Sequence, residues 1–187
     1  KYIPRVRELQ SQVIAKAPEK LRHVRIPDED GPSELAPLVA KSFVYAMRQR
    51  GHQVQFAIHN AGGVRTSILP GEVTVADIAG KLLPFAVPIG VYKVSGQTIA
   101  STLEGAINNA TNNGVSGTGS GSYPYTSNLS FQYDAEKPMG QRISRLHIFI
   151  ENQWQPVDPN GIYCGTSSAY TMKGKEGYDA LVNMQGE

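Results

Sequence analysis

Val54-Gln55-Phe56-Ala57-Ile58-His59-Asn60-Ala61-Gly62-Gly63-Val64-Arg65 is the stretch on which the reading of this chain turns. Its first half alternates as a short strand, and its second half is a glycine turn that ends on an arginine. Two adjacent glycines let backbone approach a ligand closely and offer N–H groups to it. A guanidinium beside them is a planar fork suited to carboxylate or phosphate. The same residues could equally form a plain strand exit with a surface arginine. His59, at the border of strand and turn, reads by itself as a strand-end or surface residue.

Upstream, Ser33 is placed as the N-cap of a helix running to about Gln49, closed by Gly51. Leu35, Leu38, Val39, Ser42, Phe43 and Ala46 form its expected apolar stripe, and Pro37 is tolerated in the first turn. Before it, residues 5–17 read as a short amphipathic helix with Val6, Leu9, Val13 and Ile14 on one side, stopped by Pro18. Downstream, Thr74-Val75-Ala76-Asp77 is a capping box that predicts a helix from Val75 to about Leu83. Val87–Val94 is rich in strand formers, and Gln97–Asn109 predicts a further helix with Ile99, Leu103, Ala106 and Ile107 inward. Residues 112–122 (NNGVSGTGSGS) have the composition of a flexible loop. Strands follow at 129–133, 143–151 and 162–167, joined by turns at 134–140 and 158–161. Helices come early and strands late, which predicts an α+β fold with a mixed sheet.

Composition sets the outer bounds. The chain has 187 residues, 40% of them hydrophobic and 18% charged, enough for one ordinary core and too few charges for a disordered chain. A formal charge of +2 gives no electrostatic argument for nucleic acid. The apolar run from Ile78 to Val94 is broken by Lys81, Pro84, Pro88 and Lys93, so no membrane span is read there. Behind Lys1-Tyr2-Ile3-Pro4-Arg5 there is no apolar run of the secretory-signal kind. A single cysteine, Cys164, rules out an internal disulfide and a multi-cysteine metal site, and its β-like setting fits a buried, inert thiol. The four histidines show no metal-type spacing, and no nucleophile elbow, HExxH or phosphate-binding loop is present. No catalytic residue and no metal ligand is assigned.

Two further stretches carry possible chemistry. Tyr123-Pro124-Tyr125 leaves the Gly/Ser loop, where a tyrosine could serve as a stacking platform or simply anchor the next strand. Ala169-Tyr170-Thr171-Met172-Lys173-Gly174-Lys175-Glu176-Gly177-Tyr178 sets a tyrosine and a carboxylate around close backbone. That carboxylate could accept from sugar hydroxyls or ring nitrogens, or belong to a solvated loop.

Taken in order, these segments resemble the C-terminal domain of the 5'-nucleotidase and UDP-sugar hydrolase family. Asn60–Arg65 is similar to its Asn-(Gly/Ala)-Gly-Gly-(Ile/Val)-Arg motif, and Gly71–Asp77 through Leu83-Pro84-Phe85 to its Gly-x-(Ile/Val)-Thr…(Leu/Gln)-Pro-Phe segment. Tyr123-Pro124 fits the aromatic after a glycine loop, and 170–178 resembles its aromatic…Gly-Gly-Asp-Gly-(Tyr/Phe) ending. The resemblance implies a nucleoside or nucleotide ligand whose base lies between Tyr123 and Tyr170. It implies phosphate or sugar contact by Arg65, a wall made by Asn60, Gly62 and Gly63, and a sugar contact by Glu176. Glu176 follows Lys175 where the family has Asp, and Gln97 stands where many members have a cation. The resemblance further implies two divalent metal ions and the hydrolytic residues on an N-terminal metallophosphatase domain of the same polypeptide, with none of these cofactors in this chain. Residues 1–18 are then expected to be the interdomain connecting helix and 19–187 the nucleotide-binding domain, inactive alone, of a periplasmic or cell-surface hydrolase. The alternatives are a non-catalytic ligand-binding module, and a relative acting on cyclic nucleotides or sulfur esters.

Overall fold

Helix α1 (Ile3–Ser11) is followed at once by strand β1 (Val13–Ala17) in the computed structural model, which describes residues 3–183 and 185–186. The expected helix over 5–17 is therefore corrected: its second half is extended. β-Branched Val13 and Ile14 join an antiparallel ladder with residues 71–74, in which Val13 pairs with Thr74 and Ala17 with Gly71. The anticipated stripe of α1 is not buried, and Val6, Val13 and Ile14 are all exposed. Helix within the proposed connecting segment thus extends only to Ser11, and residues 1, 2, 184 and 187 lie outside the described residues.

Helix α2 (Leu35–Gln49) begins where expected, with the Ser33 hydroxyl accepting the Ala36 N–H at 3.0 Å. Its buried face is Leu35, Ala36, Val39, Ala40, Phe43, Val44 and Met47, while Leu38 points to solvent. The stripe is rotated from the expected one because α2 packs on a sheet, and Ala36 and Ala40 permit close approach. Strand β2 (Phe56–Asn60) is buried at all five positions. Phe56 and Ile58 face one core and Ala57 the other, the period-two alternation of a strand covered on both sides.

Strand β3 (Gly71–Thr74) leads into the predicted capping box. The Thr74 hydroxyl accepts the Asp77 N–H at 3.2 Å, and the Asp77 carboxylate accepts the Thr74 N–H at 2.9 Å. The helix that follows is π-wound over Asp77–Leu82. Strand β4 (Ile89–Ser95) passes directly into helix α3 (Gly96–Thr111), N-capped by Ser95, which accepts the Thr98 N–H at 3.1 Å. All four residues expected to point inward from α3 are buried.

The chain then forms β5 (Pro124–Ser127), β6 (Leu129–Tyr133), β7 (Ile143–Ile150), β8 (Gln153–Pro156) and β9 (Ile162–Ser168). A short helix α4 (Ala169–Met172) and a two-residue strand β10 (Gln185–Gly186) end it. Strands order as β10-β4-β9-β2-β5 in the main sheet, with β2 and β9 parallel and the other neighbours antiparallel. That is the expected mixed sheet of an α+β fold. It lies between α2 on one face and α3 on the other, and each face has its own apolar cluster. Strands β6-β7-β8 make a separate sheet beside α3, and β8 went unread in the sequence.

One polar knot ties that small sheet to α3. Glu104, almost fully buried, accepts the Gly140 and Arg142 N–H groups, both at 2.5 Å. Arg142, equally buried, donates to Asn108 Oδ1 and to the carbonyls of Asn113 and Lys137. Removing the carboxylate leaves two backbone donors without their acceptor, one of them on buried Arg142. Glu104→Ala should therefore lower the unfolding free energy by about 2–3 kcal/mol, read by urea denaturation. A loss below about 0.5 kcal/mol would show that water replaces the carboxylate.

Candidate functional site

The site is built at the end of β2. Beyond Asn60 the chain turns through a single 3₁₀ turn, Ala61–Gly63. Two backbone bonds fix this turn: Ala61 N–H donates to Tyr123 O at 2.8 Å, and Val64 N–H donates to Ala61 O at 3.1 Å. Gly62 lies against Gly121 so closely that a Cβ there would stand 3.2 Å from the Gly121 Cα. A side chain at either position would push the two backbones apart by a few tenths of an ångström.

The Gly/Ser segment that supplies Gly121 is tied down by hydrogen bonds. Asn109 Oδ1 accepts from Thr118 N–H, Thr118 Oγ1 and Ser122 Oγ, while Asn112 Oδ1 accepts Gly117 N–H. These carboxamides do what the loop composition alone does not reveal.

A cavity of about 560 Å³ opens beside the turn. Six of the seven predicted site residues line it: Asn60, Gly62, Gly63, Arg65, Tyr170 and Glu176. They arrive from three separate places, the β2 turn, α4 and the turn after it. Asn60 is buried and its amide is already engaged, donating to Gly121 O at 3.4 Å and accepting from Thr171 Oγ1 at 3.3 Å. Its part is to hold the turn, the loop and α4 together rather than to present a free amide. Arg65 is exposed, donates to Gly62 O at 3.3 Å, and sets its guanidinium 5.5 Å from the ring centre of Phe85.

Tyr170 is 39% exposed at the cavity wall, on a helix whose N-cap is Ser168. Burial, then the hydrogen bond and charge of Glu176, push its phenol above the ordinary range. Glu176 itself sits in the left-handed region with φ 58°, which turns its carboxylate back toward Tyr170. Lys175 is exposed and stands apart from the lining, so it does not crowd the site. Gln97 is exposed beside a different cavity, next to α3 and the small sheet.

Tyr123 is the exception among the expected site residues. Its ring does not line the cavity; it lies 5.2 Å from Tyr125 and packs against the α2-side core. Burial, then the neighbouring phenol of Tyr125, push its own phenol up to about 12. The aromatic rings that do line the cavity with Tyr170 are Phe43 and Phe85. Phe85 is 56% exposed and was quoted in the sequence only as part of a motif.

Arg25, Phe43 and His59 also line the cavity, and none of them is among the site residues expected from the sequence. Arg25 belongs to an irregular stretch that a bridge between Leu21 and Ile68 brings alongside the turn. His59 takes the strand-end place expected of it and not the surface one: it is 4% exposed, and its ring meets Phe43 edge to face at 4.9 Å. Cys164 is half-buried beside the same core.

The chemistry available is binding. Arg25 and Arg65 supply positive charge at one cavity, and neither forms a salt bridge among the described residues. Glu176 supplies an acceptor and three aromatic rings supply apolar faces. Among the described residues no group of three or more His, Cys, Asp or Glu could hold a metal ion, so the residues present do not fit a divalent centre.

Burial holds His59 neutral, with its pKa lowered to about 4, and the nearby His23 adds to the effect. Below pH 6.5 the unfolded chain takes up a proton that the native site refuses until about pH 4. Stability is therefore complete above 6.5 and is lost as the pH falls toward 4. The contribution of His59 is about 3 kcal/mol, from 1.36 kcal/mol for each pH unit of displacement. Urea unfolding at pH 7 and pH 4 should show that loss, and His59→Leu should remove most of it.

Comparison with known proteins identifies the family. A family model described as "5'-nucleotidase, C-terminal domain" matches residues 13–183. The chain is 31% identical over 157 residues to the NAD 5'-nucleotidase of Haemophilus influenzae, covering 82% of this chain and 25% of that protein. It is 32% identical over 162 residues to a probable 5'-nucleotidase of Treponema pallidum, covering 84% and 26%. The chain thus spans about a quarter of the length of the curated relatives it matches. Among solved structures, the 5'-nucleotidase precursor of Thermus thermophilus superposes with a TM-score of 0.83 at 28% identity, over 100% of this chain and 35% of that one. The Haemophilus NAD nucleotidase superposes with a TM-score of 0.82 at 27% identity, over 97% and 32%. By sequence, fold and the order of its motifs, the chain belongs to the 5'-nucleotidase C-terminal domain family.

Proposed function

We propose that this chain is the substrate-binding domain of a 5'-nucleotidase-type hydrolase and holds the nucleoside portion of a nucleotide in the cavity beside Gly62 and Gly63. The observation that carries the reading is the convergence of Arg65, Tyr170 and Glu176, from distant parts of the sequence, on one cavity with aromatic walls. The base stacks on Tyr170, with Phe85 as the other exposed ring of the cavity. Arg65 and Arg25 face the phosphate end, and Glu176 accepts from a sugar hydroxyl. Stacking asks only for a π-face, so this wall tolerates more than one base.

Hydrolysis belongs, on this reading, to a metallophosphatase domain of the same polypeptide, where two divalent metal ions would activate water and hold the leaving oxygen. The relatives' names and their greater length support that division. The name "precursor" on the Thermus structure supports placing the whole protein outside the cytoplasm, in a periplasm or at a cell surface. Among the described residues no helix is long and apolar enough to cross a membrane.

Calorimetric titration with AMP, adenosine and inorganic phosphate tests the proposal. Tyr170→Ala should weaken AMP and adenosine alike by roughly 5–100-fold, the range of one base-stacking contact. Arg65→Ala should weaken AMP by roughly tenfold and leave adenosine within about threefold. Equal losses for both ligands in Arg65→Ala would remove it from the phosphate end. Full affinity in Tyr170→Ala would end the stacking assignment. Tyr123→Ala serves as the contrast, since its ring packs in the core and its substitution should act on stability first.

A further inference from the structure

His59 is buried, borders the ligand cavity, and has no hydrogen-bond partner on either ring nitrogen among the described residues. Unpaired polar atoms at that depth are costly to keep. Gly63, at the same turn, has no positive φ, so its backbone does not itself call for glycine. What a side chain at position 63 would meet is the His59 ring: a Cβ there would stand 2.5 Å from both Cε1 and Nε2. The ring is flanked on its other side by Phe43 of α2, at 4.9 Å.

We propose that His59 is a positioning residue of the nucleotide cavity: its neutral ring fills the space of the missing Gly63 side chain and so fixes the Gly62–Gly63 turn at the cavity wall. The inference rests on the reading of the cavity as a nucleotide site. The second glycine of the turn is then a requirement imposed by His59 and not by backbone conformation. The ring is held by shape alone, with no hydrogen bond to keep it when it becomes charged. Protonation gives it a reason to leave for water, and the turn loses its support.

The groups around it bear on that step. On the segment before α2, His23 acts directly on His59 and lies close to the Ala61 and Val64 backbone. Burial lowers the pKa of His23; the backbone at Ala61 and Val64 opposes that shift, and Arg25 reinforces it. Tyr123 and Tyr125 stand on the β5 side, while Arg65, Tyr170 and Glu176 share the cavity. From α2 the apolar ring of Phe43 meets His59. A second positive charge so near His23 and Arg25 is unfavourable, so the turn is expected to loosen in acid.

A double-mutant cycle and an acid titration test this together. Gly63→Ala should weaken AMP binding at least tenfold in the wild-type background and less than threefold when combined with His59→Ala. If Gly63→Ala fails to fold and the double variant folds, the coupling is the same in its strongest form. Equal losses in both backgrounds would overturn the proposal. In the unliganded protein, the Gly62 and Gly63 amide resonances should shift together with a midpoint near pH 4, and His59→Leu should abolish that step. Amides that do not move, or that move equally in His59→Leu, would overturn it too, and this measurement decides if neither alanine variant folds. Absence of AMP binding to the wild-type protein would refute the nucleotide reading, while the amide titration would still judge His59.

Discussion

Strand β2 has no free side, and that constraint organises the molecule. Its backbone is paired with β5 along one edge and β9 along the other, and both its faces are covered by helices through separate apolar clusters. Polar backbone in such a place must be fully paired, and side chains must alternate between two cores. Phe56 and Ile58 go to the α3 side, while Ala57 and His59 go to the α2 side. When the strand ends, the chain runs on into the cavity wall: Asn60, Gly62 and Gly63 inherit their position from a strand paired on both edges. A binding turn gains its precision from the strand beneath it.

The wall opposite the turn is made of pieces that arrive late in the chain. Thr171 reaches Asn60, Ser122 reaches the α3 backbone at Ala106, and Tyr178 donates to Ser122 O at 2.8 Å. These links join the β2 turn, the Gly/Ser segment and the C-terminal turn through buried polar side chains. Satisfied networks of this kind fix one arrangement where apolar packing alone would allow several. Loops rich in glycine can therefore serve as a shaped wall, because Asn109, Asn112 and Ser122 supply the bonds that the glycines cannot.

Much of this is written locally in the sequence. The Ser33 and Thr74 caps, the α3 stripe and the turn after β2 are short-range patterns, and the structure follows them. What failed was settled by distant partners. Val13 and Ile14 have helical spacing on paper, but the edge of β3 offered them a ladder. Leu38 fits the α2 stripe, yet the sheet beneath α2 selected Ala36 and Ala40 instead. The direction of the Tyr123 ring depends on the register of β5 against β2, where Asn60 pairs with Pro124. No local signal encodes that register, so the chain shows an aromatic at the right place in the sequence while the cavity receives Phe85. His59 was hidden for the same reason, since burial of a strand-end histidine depends on the helix packed over it.

The parallel pairing of β2 with β9 also has a consequence in time. Phe56 meets Gly165 across most of the length of the chain, so the centre of the main sheet closes only after nearly everything between them has been made. The hairpins β6-β7 and β7-β8 and the turn into α3 are local and can form first. During synthesis β2 therefore waits with a bare, hydrophobic edge, the kind of edge that recruits the wrong partner when chains are crowded. The strand that gives the cavity its precision is one whose pairing is completed late in the chain.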